Sequence, residues 1–382
     1  MHKQIQSLRT DLVSQFPERT NVIDGSLAAV LAGEHVLLIG PPGTAKSALV
    51  RTIAQAFGGV YFERLVSKTS VQEDLFGPVS IKALEQDRFA RVTTGKLPEA
   101  EFAFIDEIFK SNSAVLNSLL AIINERMFHN DGIPTQCPLI AAFGASNELP
   151  EGKDLEALFD RFLLRFDVQY LLVASNLRSV LFAGEPTIVT KLTMSDLRRA
   201  QADVAGVKVT DDTVDALLSI RDACRGEGII ASDRRWKKSL KLVKASAWMA
   251  GEKKTCTEDL AILTDSLWRE PKERTKVARI VGTLADPASM QAIEILDAAR
   301  EIATKVASLK SGDRKAYIAQ NVQAVEHFDQ QQAKLQDLAK SAGRRAKVAI
   351  ADAVAEIQGL HGAMARAVAQ GMGIGGSLRS LR

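Results

Sequence analysis

A glycine-rich loop in the first fifty residues is the feature that most constrains this chain. Residues 40 to 47 read Gly-Pro-Pro-Gly-Thr-Ala-Lys-Ser, and the apolar run 35 to 39 before them suits a short buried strand. A strand, a glycine loop and a helix starting near Lys46 come in the order of a phosphate-binding loop, whose backbone N–H groups and helix N-terminus face an anion. The segment therefore predicts a nucleotide site on an α/β sheet.

Residues of this loop have separate predicted roles. Lys46 would reach the β- and γ-phosphates of ATP, and the Ser47 hydroxyl would ligate Mg²⁺. Ala45 stands where the usual pattern has a second glycine, and alanine fits there only if its φ stays negative. The residues predicted to bind the nucleotide are Gly40, Pro41, Pro42, Gly43, Thr44, Ala45, Lys46, Ser47 and Ala48, with Val22 and Ile23 upstream.

Two further apolar runs end in polar residues suited to catalysis. Residues 102 to 105 predict a buried strand that ends at Asp106 and Glu107, and residues 139 to 146 predict another that ends at Asn147. Asp106 would serve the metal, Glu107 would polarise the attacking water, and Asn147 would orient that water or touch the γ-phosphate. Ligands bind at the carboxyl ends of parallel strands, so the three strand ends should share one site.

Together these motifs resemble those of AAA+ ATPases of the MoxR family, and within it the RavA-like branch. The resemblance continues in the family's order as far as residue 236. The matching segments are 40–47, 73–78, 97–100, 104–108, 121–126, 146–150, 160–162 and 232–236.

The resemblance implies a fold and a division into domains. It implies an αβα nucleotide-binding domain with a parallel sheet over residues 1–185, followed by an all-α lid over 190–270. A C-terminal helical bundle over 271–370 and a flexible tail over 371–382 complete the predicted order.

The resemblance also gives roles to arginines. Arg161 lies where the family places an arginine finger that reaches a neighbouring subunit's nucleotide, with Arg165 as the substitute. Alternatively, Arg161 pairs with an acidic neighbour on its own helix. Arg234 or Arg235 resembles the sensor-2 arginine that contacts the γ-phosphate from the lid, and the sequence does not separate these two.

Two segments are predicted to form β-hairpins. The first lies between Phe76 and Leu97, around an acidic turn at 85–87. The second pairs residues 126–129 with 133–136 through the turn Asn130-Asp131-Gly132. The hairpins either cover the sheet or, as the resemblance implies, point toward a ring's axis and move with the nucleotide state.

A basic helix is predicted to begin at Arg234 behind the cap Ser232-Asp233. It carries six Lys and Arg side chains between residues 234 and 244, which could contact nucleic acid. Because the whole chain has a net charge of only +3, a solvated lid face with one arginine given to phosphate is the favoured interpretation.

The chain after Pro271 is rich in Ala, Gln, Lys, Glu and Leu, and its apolar residues recur at three- and four-residue steps. We predict amphipathic helices separated near 311–312 and 341–343. The glycines and β-branched runs of the accessory domain that RavA-like proteins insert here are missing. The helices either brace a ring or dock a partner.

Composition, with 46% hydrophobic and 25% charged residues, predicts a globular protein of more than one domain. The chain has neither a long apolar run nor a signal-peptide pattern, so we expect a cytoplasmic protein without a membrane span. Its three cysteines, Cys137, Cys224 and Cys256, are too scattered for a metal set and too few for a disulfide framework.

The predicted function is ATP-driven remodelling or assembly of a client protein by a ring, expected to be a homo-hexamer. The resemblance implies a partner with a von Willebrand factor A (VWA) domain, and the client is not identified by the sequence. Two other classes stay open, a nucleic-acid motor and a nucleotide-gated assembly scaffold.

Overall fold

A computed structural model gives the structure of residues 1–150, 152–307 and 314–371. The chain groups into two compact units, Met1–Val277 and Ala278–Arg382. The predicted nucleotide-binding and lid regions both fall inside the first unit, and the predicted C-terminal bundle makes up most of the second. The finer division of the first unit near residues 185–190 stays a prediction.

The first unit is built on a parallel five-stranded sheet, as predicted. Its strand order is β2-β3-β6-β1-β7, with strands β1 Val36–Ile39, β2 Tyr61–Leu65, β3 Phe102–Asp106, β6 Ala141–Ser146 and β7 Leu164–Asp167. Strands β1 and β6 are buried along their whole length, which fits their continuous apolar sequences because both faces of a parallel sheet are covered. The carboxyl ends of β1, β3 and β6 therefore lie side by side.

Helices cover the sheet and extend from it. They are α1 His2–Gln15, α2 Thr20–Ala32, α3 Lys46–Phe57, α4 Gln72–Phe76, α5 Ile81–Leu84, α6 Ser113–Glu125, α7 Lys153–Arg161, α8 Ala174–Leu181, α9 Met194–Ala205, α10 Asp211–Gly226, α11 Asp233–Met249, α12 Thr264–Leu267 and α13 Pro271–Ala285, whose last turns enter the second unit. Short 3₁₀ turns occupy Leu97–Glu99, Ile108–Lys110 and Thr257–Leu263. The predicted cap of the basic helix is confirmed, because Ser232 Oγ accepts the backbone N–H of Arg235.

One apolar core joins the sheet to the helices of the lid region. Phe57 of α3 stacks on Phe102 of β3 with ring centroids 6.0 Å apart. The same cluster of buried residues includes Leu197 of α9 and Leu242 of α11. Burying these helices against α2 is what holds the lid region to the sheet.

The two predicted hairpins have different outcomes. Strands β4 Met127–Asn130 and β5 Ile133–Gln136 pair antiparallel, which confirms the second hairpin. Asp131 and Gly132 form its two-residue turn with φ of 56° and 74°, the geometry that such a turn requires.

The first hairpin is confirmed only in part: its arms pair antiparallel at Val79 and Arg91, with the N–H groups of Ser80 and Val92 donating to the carbonyls of Ala90 and Pro78 at 2.8 Å. The residues after this bridge form the short helix α5 instead of a longer strand.

Side chains tie the turn of the β4-β5 hairpin to residues 88–91. We call the two predicted hairpin segments, residues 77–96 and 126–136, the first and second insertions. Asp131 accepts from the Arg88 guanidinium and from the backbone N–H of Phe89, both at 2.8 Å. Asn130 accepts from the backbone N–H of Arg91 at 2.7 Å and donates to the Arg91 carbonyl at 3.1 Å. The two insertions therefore form one hydrogen-bonded body.

The second unit is helical. It contains α14 Pro287–Ala307, α15 Arg314–Ser341 and α16 Arg344–Gly371, which confirms the predicted helices and the break at 341–343. Its core combines small residues such as Ala299 and Ala353 with Phe328 and Leu335. The predicted break at 311–312 and the predicted tail after residue 371 lie outside the described residues. Among the described helices, none has both the length and the apolar composition that spanning a bilayer requires.

A buried histidine connects three parts of the first unit. His35 precedes β1 and is fully buried. Its Nδ1 accepts the backbone N–H of Ala142 at 2.8 Å, and its Nε2 lies 2.8 Å from the carbonyl of Ile123 as a donor. Burial, together with nearby Arg126, lowers the pKa of His35 well below its ordinary value, so the folded protein holds the ring neutral.

The stability of the chain should therefore depend on this ring at acid pH. As the pH falls through about 6.5, the unfolded chain protonates His35 while the folded chain does not, and stability is lost at up to about 1.4 kcal/mol per pH unit. We expect His35→Gln to be less stable at pH 7.5 but to lose less stability down to pH 5.5. Urea unfolding at both pH values measures this, and equal losses for the two proteins would contradict it.

Candidate nucleotide-binding site

A cleft opens at the carboxyl edge of the sheet, where the predicted strand ends meet. Its volume is about 330 Å³. The lining residues are Gly40, Pro42, Gly43, Thr44, Ala45, Lys46, Ser47, Phe104, Asp106, Glu107, Ser146 and Asn147. The structure thus brings together the glycine loop and the polar residues that follow β3 and β6, as the sequence predicted.

The backbone of the loop requires glycine where the chain approaches its neighbours. Gly40 has a φ of +147°, and a Cβ at this position would lie 2.1 Å from the carbonyl oxygen of Val168. Its N–H donates to the carbonyl of Ser146 at 2.9 Å. Gly40 therefore fits tightly between the chain segments that follow the two neighbouring strands.

Ala45 adopts a conformation that the sequence analysis excluded. Its φ of 64° and ψ of 23° are left-handed, so the expectation of a negative φ is wrong. A non-glycine residue costs roughly 1–2 kcal/mol there. Ala45 is the N-cap of α3, so the strained residue directly precedes the helix N-terminus that would face the phosphates.

Lys46 points into the mouth of the loop. Its Nζ donates to the carbonyls of Gly40 and Pro41, both at 2.8 Å. Burial lowers its pKa below the ordinary value, against the opposing effect of the Asp106 and Glu107 carboxylates. An ammonium held in this position suits contact with the terminal phosphates.

The two carboxylates after β3 have different surroundings. Asp106 Oδ1 accepts the backbone N–H of Glu107 at 3.0 Å. Glu107 has a left-handed backbone, with a φ of 52°, at the start of the following 3₁₀ turn. Its Oε2 is buried without a hydrogen-bond partner among the described residues, although the Lys110 ammonium lies 3.4 Å away. A buried acceptor of this kind fits a site for a water molecule.

The cleft also contains oxygen ligands that suit Mg²⁺. The Ser47 hydroxyl and the Asp106 carboxylate both line the cleft, and Mg²⁺ prefers one or two such oxygen ligands with the rest supplied by water and phosphate. Asn147 lines the same cleft and is exposed. The turn before it is fixed by Ser146, whose hydroxyl accepts the N–H of Glu148 at 3.1 Å and donates to its carbonyl at 2.8 Å.

The two predicted nucleotide-binding residues upstream of the loop lie outside the cleft lining. Val22 and Ile23 lie on α2 in the apolar core, and neither lines the cleft. Ile23 has no exposed surface, so its side chain does not face the cleft, and the predicted binding of a nucleotide by these two residues stays a prediction. Arg19, which the sequence analysis missed, is buried, donates to the carbonyl of Gln169, and is near enough to lower the pKa of Lys46. It belongs to no sequence motif.

The structure separates the four arginines. Arg235 is 3% exposed and donates to the carbonyls of residues 160, 162, 163 and 266, so its predicted phosphate contact is wrong. Arg165 is equally buried, lies over the Phe159 ring at 3.8 Å, and cannot substitute as a finger. Arg234 is exposed and donates to the Asn124 side chain.

Arg161 remains available for a contact outside its own helix. The neighbouring Asp160 carboxylate pairs with Arg235 at 3.1 Å and with Arg165 at 3.8 Å. Arg161 Nε is buried and has no hydrogen-bond partner within the described ranges. Burial and the nearby Arg234 lower the pKa of Arg161, so the two cations lie close together.

Arg161 and Arg234 lie at the edge of the sheet opposite the cleft. Arg161 ends α7, three residues before β7 begins. Asn124, which Arg234 contacts, is near the end of α6, and α6 starts on the cleft side after Glu107 and runs to the other edge. In this subunit neither arginine faces its own glycine loop.

Two family models match the chain. Residues 3–205 match the MoxR domain in the MoxR-vWA-beta-propeller ternary systems. Residues 212–281 match an AAA lid domain. Together they cover most of the first compact unit and the start of the second.

Individual proteins agree with these matches. An uncharacterized protein of Methanocaldococcus jannaschii is 44% identical over 276 residues, which are 72% of this chain and 74% of that protein. The chaperone MoxR1 of Mycobacterium tuberculosis is 28% identical over 210 residues, 53% of this chain and 55% of the chaperone. A crystal structure of a Cytophaga hutchinsonii protein has a TM-score of 0.61 at 19% identity, covering 74% of this chain and 93% of that one, and shows the same fold.

The different positions of Arg234 and Arg235, one exposed and one buried, can be tested by measuring the stability of variants. Arg235→Ala should lower the free energy of unfolding by about 3 kcal/mol or more, because it leaves buried carbonyls and Asp160 without a donor. Arg234→Ala, the matched surface change, should stay within about 0.5 kcal/mol of the parent. Thermal and urea unfolding of both variants measure this, and similar losses would contradict the assignment.

Proposed function

Because the chain belongs to the MoxR family of AAA+ ATPases, we propose that it hydrolyses ATP with Mg²⁺ in the cytoplasm, as a homo-hexameric ring that remodels or helps to assemble a client protein complex. The observation that carries the proposal is the meeting of the glycine loop, Asp106, Glu107 and Asn147 around one cleft. These groups come from the ends of three neighbouring strands, β1, β3 and β6, which is how parallel α/β sheets build ligand sites.

Each group in the cleft has a role that its surroundings support. Lys46 and the N–H groups at the start of α3 bind the phosphates. Ser47 and Asp106 would hold Mg²⁺, which when bound would supply positive charge against the phosphate oxygens. Glu107, with its unpartnered oxygen, takes the proton of the attacking water, and the Asn147 amide orients that water.

A second subunit completes the site in this proposal. Charge that develops on the transferred phosphoryl group calls for cations beyond Lys46. Arg161 and Arg234 lie at the edge opposite the cleft, where they can face a neighbour's nucleotide in a head-to-tail ring. An arginine finger of this kind is worth roughly 10³–10⁵ in rate.

The partner follows from the family model. Its description names systems in which a MoxR domain works with a VWA protein, so we propose a VWA-domain partner that recruits the client. The RavA-like branch stays our more specific proposal within the family. The relative named as a chaperone supports protein remodelling as the outcome of hydrolysis.

The contacts of the basic helix α11 argue against a nucleic-acid motor. Arg235 is buried. Lys238 and Lys241 both pair with the buried carboxylate of Glu34, at 2.7 and 2.8 Å. Lys244 donates to a backbone carbonyl at 3.0 Å. Most of this helix's charge is therefore used inside the protein, so phosphate backbones would find few free cations there.

Sharing of sites between subunits predicts recovery of activity in a mixture. Lys46→Ala should fail to bind ATP, and Arg161→Ala should bind ATP but hydrolyse it at least 100-fold more slowly, a conservative part of the range of about 10³–10⁵. Mixed subunits should regain measurable turnover, because an intact Arg161 then meets an intact loop. Steady-state ATPase assays measure this. No recovery, with mixed assemblies present by light scattering, would refute catalysis in trans.

The choice between a protein client and nucleic acid can be tested by stimulation. We expect a VWA-domain partner to raise the ATPase rate, and double-stranded DNA to leave it unchanged. Binding to labelled DNA should be weak at 50 mM salt, because few phosphate contacts are available. DNA stimulation combined with a steep loss of DNA binding as salt rises would favour the motor instead.

A further inference from the structure

The 3₁₀ turn after β3 places a lysine next to Glu107. Lys110 Nζ lies 3.4 Å from Glu107 Oε2, and this oxygen is buried without a hydrogen-bond partner among the described residues. No other lysine or arginine in the described ranges forms an ion pair with Glu107. Glu107 lines the nucleotide cleft, whereas Lys110 is not among the lining residues. Lys110 therefore reaches the Glu107 carboxylate from outside the cleft lining.

The geometry of this turn brings the two side chains together. The turn Ile108–Lys110 begins directly after Glu107, and the backbone N–H of Lys110 donates to the Glu107 carbonyl at 2.8 Å. Side chains three residues apart eclipse each other in a 3₁₀ turn. Ile108 and Phe109, which lie between them, are buried. Glu107 and Lys110 are therefore left together on the side of the turn that faces away from the core.

Hydrogen bonds of the following residues hold the turn in place. The Ser111 hydroxyl donates to the carbonyl of Ile108 at 2.6 Å. The Asn112 amide donates to the carbonyl of Ser70 at 2.7 Å, in the loop that follows β2. The loop after β2 and the turn after β3 are therefore joined next to Lys110, so its backbone has little freedom to shift.

This ion pair matters for orientation more than for stability. Exposed ion pairs add little to the free energy of folding, and the Lys110 side chain is 40% exposed. The Glu107 side chain is only 22% exposed, and among the described residues its buried Oε2 has no hydrogen bond that would fix the rotation of the carboxylate. A general base has to lie within hydrogen-bond reach of the proton that it removes, and a misplacement of about 1 Å can cost about 100-fold in rate.

We propose that Lys110 is a positioning residue for ATP hydrolysis, which holds Glu107 Oε2 so that the other carboxylate oxygen faces the attacking water. This inference rests on the proposed function, since it takes Glu107 as the general base. Lys110 itself contacts neither the nucleotide nor the water in this role. Its loss should therefore lower the rate of turnover and leave the binding of ATP unchanged.

Two substitutions test whether the charge of Lys110 is what matters. Lys110→Met keeps an unbranched side chain without the ammonium, and Lys110→Arg keeps the charge. We expect Lys110→Met to lower kcat by about tenfold and to change the dissociation constant of a non-hydrolysable ATP analogue by less than about twofold. Lys110→Arg should recover most of the rate. Steady-state ATPase assays and calorimetric titrations measure this, and an arginine variant as slow as the methionine variant would overturn the inference.

Lys340→Met is the matched control. Lys340 also pairs with a carboxylate three residues before it, that of Asp337, at a distance of 2.6 Å. This pair lies on α15 of the second unit, so the control should keep the parent's rate. All these variants should keep the parent's melting temperature, because each changes an exposed ion pair. A comparable loss of rate in the control would overturn the assignment of the effect to Glu107.

A double-mutant cycle tests whether Lys110 acts through Glu107. In a Glu107→Gln background, Lys110→Met should cause less than about twofold further loss, because the carboxylate that Lys110 positions is already gone. Single-turnover hydrolysis of ATP measures these low rates. Losses that multiply in the double variant, or a weaker affinity of Lys110→Met for the ATP analogue, would overturn the inference, since Lys110 would then act independently of Glu107.

The same variants separate this inference from the proposed function. If Glu107→Gln is slow while Lys110→Met turns over like the parent or faster, the positioning role of Lys110 is overturned and Glu107 remains the base. If Glu107→Gln itself turns over like the parent, the assignment of the base in the proposed function fails, and the inference fails with it.

Discussion

The site depends on the close approach of three chain segments at the carboxyl end of β1. Gly40 donates its N–H to the carbonyl after which β6 ends, and its Cα lies against the carbonyl of Val168 after β7. No side chain fits there. The glycine loop is therefore positioned by the strand order of the sheet, since β1 lies between β6 and β7. The parallel sheet fixes where the cleft opens, and the residues that follow β3 and β6 then meet it.

Local sequence patterns predicted the parts of the fold that short-range physics decides. Apolar runs located β1, β3 and β6, and the Asn-Asp-Gly turn located the β4-β5 hairpin. The sequence also predicted that one cleft would contain the glycine loop, Asp106, Glu107 and Asn147, because parallel strands bring their carboxyl ends together. The first insertion was predicted only in part, because its backbone turns into α5 after the bridge between Val79 and Arg91, and its residues with high strand propensity, such as Ile81 and Phe89, are exposed. Strand propensity reflects such surroundings more than an intrinsic backbone preference.

The positions that the sequence could not decide depend on contacts between distant segments. Arg234 and Arg235 are adjacent, but successive residues of a helix are rotated by about 100° about its axis. Arg234 therefore lies at the surface, whereas Arg235 is buried and donates to four carbonyls and Asp160. Ala45 adopts a left-handed conformation although it carries a side chain. Arg19 is distant from Lys46 in sequence and shares no motif with it, so only the folded structure brings the two side chains near each other. No periodicity or motif in one sequence carries this information.

The bridge between the two insertions has a mechanical consequence. Four hydrogen bonds from Asn130 and Asp131 join the hairpin turn to residues 88–91. The hairpin is carried by the end of α6, and α6 begins shortly after Glu107. Neither insertion can swing alone without breaking these bonds. A displacement of α6 that began near Asp106 and Glu107 would therefore move both insertions together.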